Sequence, residues 1–369
     1  MKRRIPSVYK KAGKLRAATI AIASAFAIIA AAFLYISGYL TDTTPPSGVI
    51  EVHFIDVGQG DSALILSDAG SVLIDAGTGS YADRLAAYVS ARTSSLDYAV
   101  FTHPHEDHIG GAPAVFGAVA VKHTVLPDRA ADSASFDRLL DAIEGSGADV
   151  IEAVRGESFA VGDMTFNILS PESGVNYTET NNVSAVIRAA FGNTHILFTG
   201  DAETEIERQL LMSGEALSAD ILKVGHHGSS TSSSDDFIYA VSPEYAVISC
   251  GKNNSYGHPD PTILDRLAAA GAAVFRTDVS GDIVFRCDGV SVTPVSGASA
   301  LSADLVFQTE IVGDHRDEFA VGRLAACVLD RVSEIGVERV DVTSVPCNLD
   351  RVTDRAFYAG RGGRILLCN

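Results

Sequence analysis

The run Thr102-His103-Pro104-His105-Glu106-Asp107-His108-Ile109-Gly110-Gly111 places three histidines and an aspartate, four potential metal ligands, within six residues, directly after the apolar stretch 98–101. The end of a strand is rigid, so a turn there can aim several side chains at one point. Imidazole and carboxylate together suit zinc, and also manganese or iron. His103, His105, Asp107 and His108 are therefore candidate metal ligands. Gly110 and Gly111 permit a tight turn into a following helix. A polar surface loop is the alternative reading, and it does not account for ligand-type residues at this density.

Two cations about 3.5–4 Å apart need more ligands than one loop supplies, including one that bridges. Leu197-Phe-Thr-Gly-Asp201 ends an apolar run with an aspartate, and Leu222-Lys-Val-Gly-His-His-Gly-Ser229 ends another with paired histidines. Both follow the design of the first run, an apolar strand with a candidate ligand at its C-terminal end. His195, His123 and His53 lie in or beside strand-like runs and are read as strand or surface residues.

The elements that must position these groups are legible from periodicity. Ile50, Val52 and Phe54 alternate with Glu51 and His53, which predicts a strand. Short strands are expected at 63–66, 72–75, 98–101, 165–169, 185–187, 196–198, 221–224, 245–248, 274–276 and 283–285. Helical spacing covers 81–92, 136–143, 203–212 and 261–270. Early strands come as hairpins and later ones alternate with helices, so the fold class is mixed α/β, with mixed sheets flanked by helices. Residues 319–335 have helical spacing and 337–342 strand spacing. The basic glycine-rich run Tyr358-Ala-Gly-Arg-Gly-Gly-Arg364 reads as a surface turn.

The chain has 369 residues, with 28 Lys+Arg against 46 Asp+Glu and a formal net charge of −18. That excludes a broadly basic protein that coats nucleic acid. It leaves room for a small site that handles phosphates through metal ions. Lys2, Arg3, Arg4, Lys10, Lys11, Lys14 and Arg16 crowd the first 16 residues, and no charge follows until Asp42. Residues 17–40 are long and apolar enough to span a bilayer as a helix, where about 20 residues suffice. The expectation is a transmembrane signal anchor with residues 1–16 in the cytoplasm. A Pro- and Ser-bearing linker at 41–48, a main domain at 49–295 and a small α/β tail at 296–369 follow, all outside the membrane. Cys250, Cys287, Cys327, Cys347 and Cys368 have no CxxC spacing, so no zinc ribbon is indicated, and an odd count leaves at least one thiol without an intramolecular partner.

Taken together, the chemistry-bearing strings resemble the metallo-β-lactamase superfamily of metallohydrolases. His103-x-His105-x-Asp107-His108 matches its hallmark, and Asp201 and His226 match its later ligand motifs. The similarity is closer to the hydrolase domain of ComEC-like competence proteins and their stand-alone relatives. It is carried by Asp56-Val-Gly-Gln-Gly-Asp-Ser62, Ile74-Asp-Ala-Gly77, the 102–111 string, Thr199-Gly-Asp-Ala202, Lys223-Val-Gly-His-His-Gly-Ser-Ser230 and Tyr256-Gly-His-Pro259. With one apolar span, the resemblance covers the hydrolase module and not a multi-span channel.

The resemblance implies an αββα sandwich with two divalent cations, zinc or manganese, at one edge between the sheets. His103 and His105 would hold the first, Asp107, His108 and His226 the second, and Asp201 would bridge. Asp56 would sit beneath and orient ligands. His226 is favoured over His227 because it is nearer the strand end, which leaves His227 for substrate or proton transfer. His258 is a candidate phosphate contact or proton donor, and equally a structural residue. The catalytic set is then Asp107, Asp201, His227 and His258. The superfamily's further histidine for the first metal is missing from Glu179-Thr-Asn-Asn-Val-Ser184, so Asn181 or Asn182 is expected to stand in. An amide is a poorer zinc ligand than imidazole, which favours a weaker first site or manganese.

The implied activity is a phosphodiesterase or nuclease acting outside the membrane on an anionic phosphodiester, DNA included. Two readings compete: hydrolysis of a lactam, lactone or thioester on the same fold, and a surface binding module without catalysis. The anchor gives a direct expectation. A periplasmic-type reporter enzyme fused after residue 48 should be active only outside the cytoplasm, and activity confined to the cytoplasm would reverse the topology.

Overall fold

The computed structural model describes residues 44–295, 341–345, 357–360 and 364–368. The basic segment 1–16, the expected span 17–40, the start of the linker and the expected helix at 319–335 lie outside these residues. Among the described residues no helix is long and apolar enough to cross a membrane. The chain divides into two units, Met1–Ser302 and Ala303–Asn369.

In the first unit β1 (Ile50–Phe54), β2 (Ala63–Leu66) and β3 (Ser71–Ile74) form an antiparallel meander. Helix α1 (Ala82–Ser90) carries the chain to β4 (Ser95–Val100), parallel to β3. Helices α2 (Glu106–Ile109) and α3 (Ala112–Ala118) lead to β5 (Ala120–Leu126), and α4 (Ala134–Ser146) leads to β6 (Asp149–Glu152), both strands again parallel to their predecessors. The second sheet begins with the antiparallel series β7 (Ser158–Val161), β8 (Met164–Ser170), β9 (Val186–Phe191) and β10 (Thr194–Phe198). It continues in parallel through β11 (Ile221–Lys223), β12 (Tyr245–Ile248) and β13 (Ala273–Arg276). The crossovers are α5 (Thr204–Ser213), α6 (Asp235–Val241) and α7 (Pro261–Ala269). After α8 (Thr277–Ser280), β14 (Ile283–Cys287) returns to the first sheet beside β1, and β15 (Val292–Pro294) closes that edge. The orders are β15-β14-β1-β2-β3-β4-β5-β6 and β13-β12-β11-β10-β9-β8-β7.

Alternation along the strands sorts side chains into three cores. Val52, Phe54, Ile65, Val72, Ile74, Ile196, Phe198, Ile221 and Val247 belong to one cluster drawn from both sheets. Their neighbours in sequence turn the other way. Leu64, Leu66 and Leu73 pack with Leu85, Val89, Val115 and Leu139 of the helices outside the first sheet. Leu197, Leu222, Ala246 and Ile248 pack with Ile206, Leu210, Phe237 and Ile263 outside the second. Two sheets face to face, each covered by helices, give the four layers of an αββα sandwich. The helices end as local chemistry dictates: Ser133 Oγ accepts from Phe136 N at the start of α4, and Gly147, at φ 71°, closes it in the left-handed region.

Four strands of the first unit have no counterpart in the periodicity: β5, β6, β7 and β15. Three of them are short segments at or next to sheet edges. Only one face of such a strand is covered, and β6 exposes most of its residues. Cys250 and Cys287 are buried free thiols. His53 is buried on β1, with Nδ1 2.8 Å from the Tyr88 hydroxyl, and His123 and His195 lie on β5 and β10. In the second unit β16 (Asp341–Val345), β17 (Phe357–Gly360) and β18 (Arg364–Cys368) make a three-stranded sheet with β18 in the middle.

Aromatic contacts join the two sheets. Phe54 of the first lies 5.9 Å from Phe198 of the second, and its neighbour Phe285, 6.1 Å away on β14, lies 5.2 Å from Tyr245 and 5.3 Å from Phe275 of the second. Phe285→Ala should lower the unfolding free energy by about 3–5 kcal/mol, read as a lower urea midpoint at unchanged slope. An unchanged midpoint would contradict this account of the core.

Candidate metal centre

The parallel strands of both sheets end at one edge, and the residues just beyond those ends meet. Past β3 comes Asp75, a non-glycine residue at φ 59°. Its carboxylate accepts from Thr102 N and from Thr102 Oγ1, both at 2.8 Å, and lies 2.8 Å from His108 Nδ1. Strain of this kind persists only where surrounding structure fixes it, and here three bonds do so. Past β4 the chain runs through buried Thr102 and His103 to His105, which precedes α2. Asp107 and His108 sit in that short helix. The glycine loop after β1 packs against it so closely that a Cβ on Gly60 would collide with the Asp107 carbonyl. Asp61 N in turn donates to that carbonyl at 3.1 Å.

From the second sheet, Asp201 follows β10, its amide held by Ser184 Oγ at 3.1 Å. Beyond β11 the Gly225–Gly228 turn contains two consecutive left-handed residues, His226 (φ 49°, ψ 48°) and His227 (φ 54°, ψ 23°). Because of this kink the adjacent imidazoles have different surroundings. His227 is buried, with Nδ1 3.0 Å from the Ser249 carbonyl and Nε2 3.3 Å from Asp107 Oδ2 and 3.5 Å from Asp201 Oδ2. His226 stays partly exposed, with Nδ1 3.1 Å from Thr231 Oγ1 and Nε2 3.8 Å from Asp201 Oδ2.

Asp107, His108, Asp201 and His227 thus each offer one ligand atom, all within 4.8 Å of one another. His103 and His105 adjoin this group: His103 Nε2 lies 2.9 Å from His105 Nδ1 and 3.8 Å from Asp201 Oδ2. The donor set fits a divalent cation on its own terms. His108 Nε2, Asp201 Oδ1 and His227 Nε2 are buried without a hydrogen-bond partner, a condition that costs free energy unless a ligand satisfies them.

The charges tell the same story. Burial lowers the pKa of His103 well below its ordinary value, and the neighbouring His108 adds to the shift. Burial also lowers that of His105. Neutral imidazole is the form that binds metal. For His108 burial works against the imidazolium, but Asp201 and Asp75 outweigh it and raise its pKa. For His227 burial is likewise overcome by Asp201 and Asp61, and its pKa is pushed up to about 10. Asp201 and Asp107 are held ionised against burial by the histidines, His227 and His108 foremost. The protein alone therefore keeps protons where cations would take their place.

The structure departs from the sequence reading at three places. His227, and not His226, enters the four-residue group, and it is buried there while His226 is partly exposed. Asp56 does not orient ligands. Its backbone N donates to Asp282 Oδ1 at 2.9 Å and its Oδ1 accepts from Gly58 N at 3.1 Å. The carboxylates against the candidate ligand histidines are Asp75 on His108 and Asp61 on His227. Both stood in the quoted strings, Ile74-Asp-Ala-Gly77 and Asp56–Ser62, without a role. Of the asparagines, Asn182 is used structurally, bonding Glu203 N and Glu205 Oε2. Asn181 keeps a buried, unpartnered Oδ1 beside His226, which suits a ligand or water contact. His258 lies at the mouth, its ring 5.7 Å from His226 and 6.5 Å from His227.

This geometry separates the paired histidines experimentally. His227→Ala should weaken zinc binding by at least the 10–100-fold typical of losing a supporting group, while His226→Ala leaves it within about threefold. Uptake by the wild-type chain should release protons and tighten as pH rises toward 10, because His227 holds a proton below that pH. Calorimetry in buffers of different ionisation enthalpy measures both. Equal losses in the two variants would refute the assignment.

The family model for the metallo-beta-lactamase superfamily matches residues 55–252. Among curated proteins, ComE operon protein 3 of Bacillus subtilis (strain 168) is 35% identical over 255 residues, covering 64% of this chain and 33% of that protein. Competence protein ComA of Neisseria gonorrhoeae is 32% identical over 262 residues, 69% of this chain and 35% of that one. Recombination protein 2 of Haemophilus influenzae (strain ATCC 51907 / DSM 11121 / KW20 / Rd) is 30% identical over 238 residues, 63% and 28%. The chain spans about a third of the length of the curated relatives it matches. The motif set, the two-sheet sandwich and the matched family model agree, and the chain belongs to the metallo-beta-lactamase superfamily, in its ComEC-like branch.

Proposed function

We propose that this chain is a metal-dependent phosphodiesterase or nuclease, anchored in the membrane by residues 17–40 with its hydrolase domain outside. The observation that carries the reading is the donor set of Asp107, His108, Asp201 and His227 beside His103 and His105, in which His108, Asp201 and His227 are buried and each has an atom without a hydrogen-bond partner. Relatives named for competence and recombination, both of them DNA processes, support a nucleic-acid substrate.

His103 and His105 would hold one cation, Asp107, His108 and His227 the other, with Asp201 between and Asn181 completing the first site. When bound, two divalent ions of the zinc or manganese kind supply Lewis acidity toward a phosphoryl oxygen and a water acidic enough to react near neutral pH. The remaining work falls to the chain. Asp75 orients His108, and the Ser249 carbonyl orients His227 with the Asp61 carboxylate behind its ring. Glu203 Oε1 and Thr231 Oγ1 fix His226 at the mouth, 3.4 Å and 3.1 Å from its Nδ1. There His226 and His258 contact the phosphoryl group or hand a proton to the leaving oxygen. A net charge of −18 works against binding a long polyanion, so recognition depends on these local groups.

The test is a substrate panel on chelator-treated protein reloaded with zinc or manganese: single-stranded and duplex DNA, bis(p-nitrophenyl) phosphate, nitrocefin and a lactone. The expected result is metal-restored phosphodiester cleavage, reduced more than about 100-fold by His105→Ala and by Asp201→Ala, beyond what losing an outer partner costs. Turnover of the lactam or lactone alone would establish the rival hydrolase instead.

A further inference from the structure

Lys223 is the last residue of β11, and its side chain leaves the strand on the same face as Ile221, toward the space between the sheets. It is only 3% exposed. Lysine is almost never found so deep without a partner, and an apolar residue would continue the pattern of Ile221. Its ammonium crosses to the opposite sheet, where Nζ lies 2.5 Å from Asp61 Oδ2 and donates to the Val224 carbonyl at 2.8 Å. Asp61, 4% exposed, touches the ligand group twice more. Its Oδ1 is 3.1 Å from His227 Nδ1, and its backbone N donates to the Asp107 carbonyl.

A buried ion pair is a weak way to hold two sheets together, because apolar residues of similar volume do so as well or better. The location suggests a different use. Asp61 and Asp75 each back one ligand histidine, and with His108 they form a group whose ligand-type atoms lie within 4.8 Å. A cavity of about 10 Å³, the space of one water, lies among Asp61, Asp75, Thr102 and Lys223. Two carboxylates this close repel, and Lys223 is the lysine that offsets them. The Ser249 carbonyl, 3.0 Å from His227 Nδ1, can fix the tautomer by itself. What Asp61 adds is negative charge behind the ring, which makes Nε2 a stronger donor to a cation.

We propose that Lys223 is a positioning residue for the metal centre, holding the Asp61 carboxylate in place so that its negative charge stays behind His227, whose Nε2 faces Asp107 and Asp201. The inference rests on the reading of that group as a cation site. Neither residue touches substrate or the reacting atoms.

The experiment compares the full chain with Lys223→Met/Asp61→Leu, and with Lys223→Met/Asp61→Asn as a less drastic neutral pair. Urea unfolding reads stability, and titration with cobalt(II) reads affinity and the visible spectrum of the bound ion. The expected result is a urea midpoint at or above wild type in at least one double variant, with cobalt bound about 10–100-fold more weakly and its spectrum altered. Wild-type affinity and spectrum in a folded double variant would overturn the role. Failure of both variants to fold would also overturn it, by making the pair a requirement of the sandwich. A wild-type chain that takes up no cobalt would remove the cation site itself, and the two failures are thereby distinguished.

Discussion

The constraint on which the rest of the structure depends is the desolvation of charge at one edge of the sandwich. Asp61, Asp75, Asp201, His103, His108 and His227 are all buried there. Burying unpaired charge is costly, and such groups persist only when neighbours or a ligand compensate them. The pairs Asp75–His108 and Asp61–Lys223 do part of this, at 2.8 Å and 2.5 Å. The remaining atoms point at each other without satisfying hydrogen bonds. A divalent cation is the natural counter-charge for such a set.

The fold is arranged to permit this concentration. Parallel strands in each sheet send their C-terminal ends to the same edge, so loops far apart in sequence meet. Left-handed residues at Asp75, His226 and His227 turn the chain sharply enough to present side chains instead of continuing a strand. The apolar core beneath, with Phe54, Phe198 and Phe285 in contact, keeps the two sheets at fixed separation. The geometry of the ligands is therefore a consequence of packing several residues away.

Much of this was legible in the residues. The 102–111 string names its own chemistry, because three histidines and an aspartate after an apolar run have few other uses. Strands whose two faces are both covered, such as β10 and β12, stood out as apolar runs. The paired histidines were harder. Distance from the strand end favours His226, but a left-handed kink at adjacent residues decides which ring turns inward, and no periodicity reports such a kink. Asp61 and Asp75 were present in recognisable strings, yet their partners lie in loops distant in sequence, and only the three-dimensional meeting shows what they hold. Asp56 illustrates the converse. It sits in the same string as Asp61, five residues earlier, and ends up bonded to Gly58 and Asp282 instead. Lys223 interrupts an apolar strand, a signal that can be read once buried lysine is treated as an anomaly needing a partner.

The most direct test of the central claim is a count of metal. Elemental analysis of the purified chain, dialysed against zinc or manganese and then freed of excess, should find two divalent ions per chain and fewer in Asp201→Ala. Finding none in wild-type protein after metal loading would contradict the account, since His108 Nε2, Asp201 Oδ1 and His227 Nε2 would then stay buried with no ligand to satisfy them.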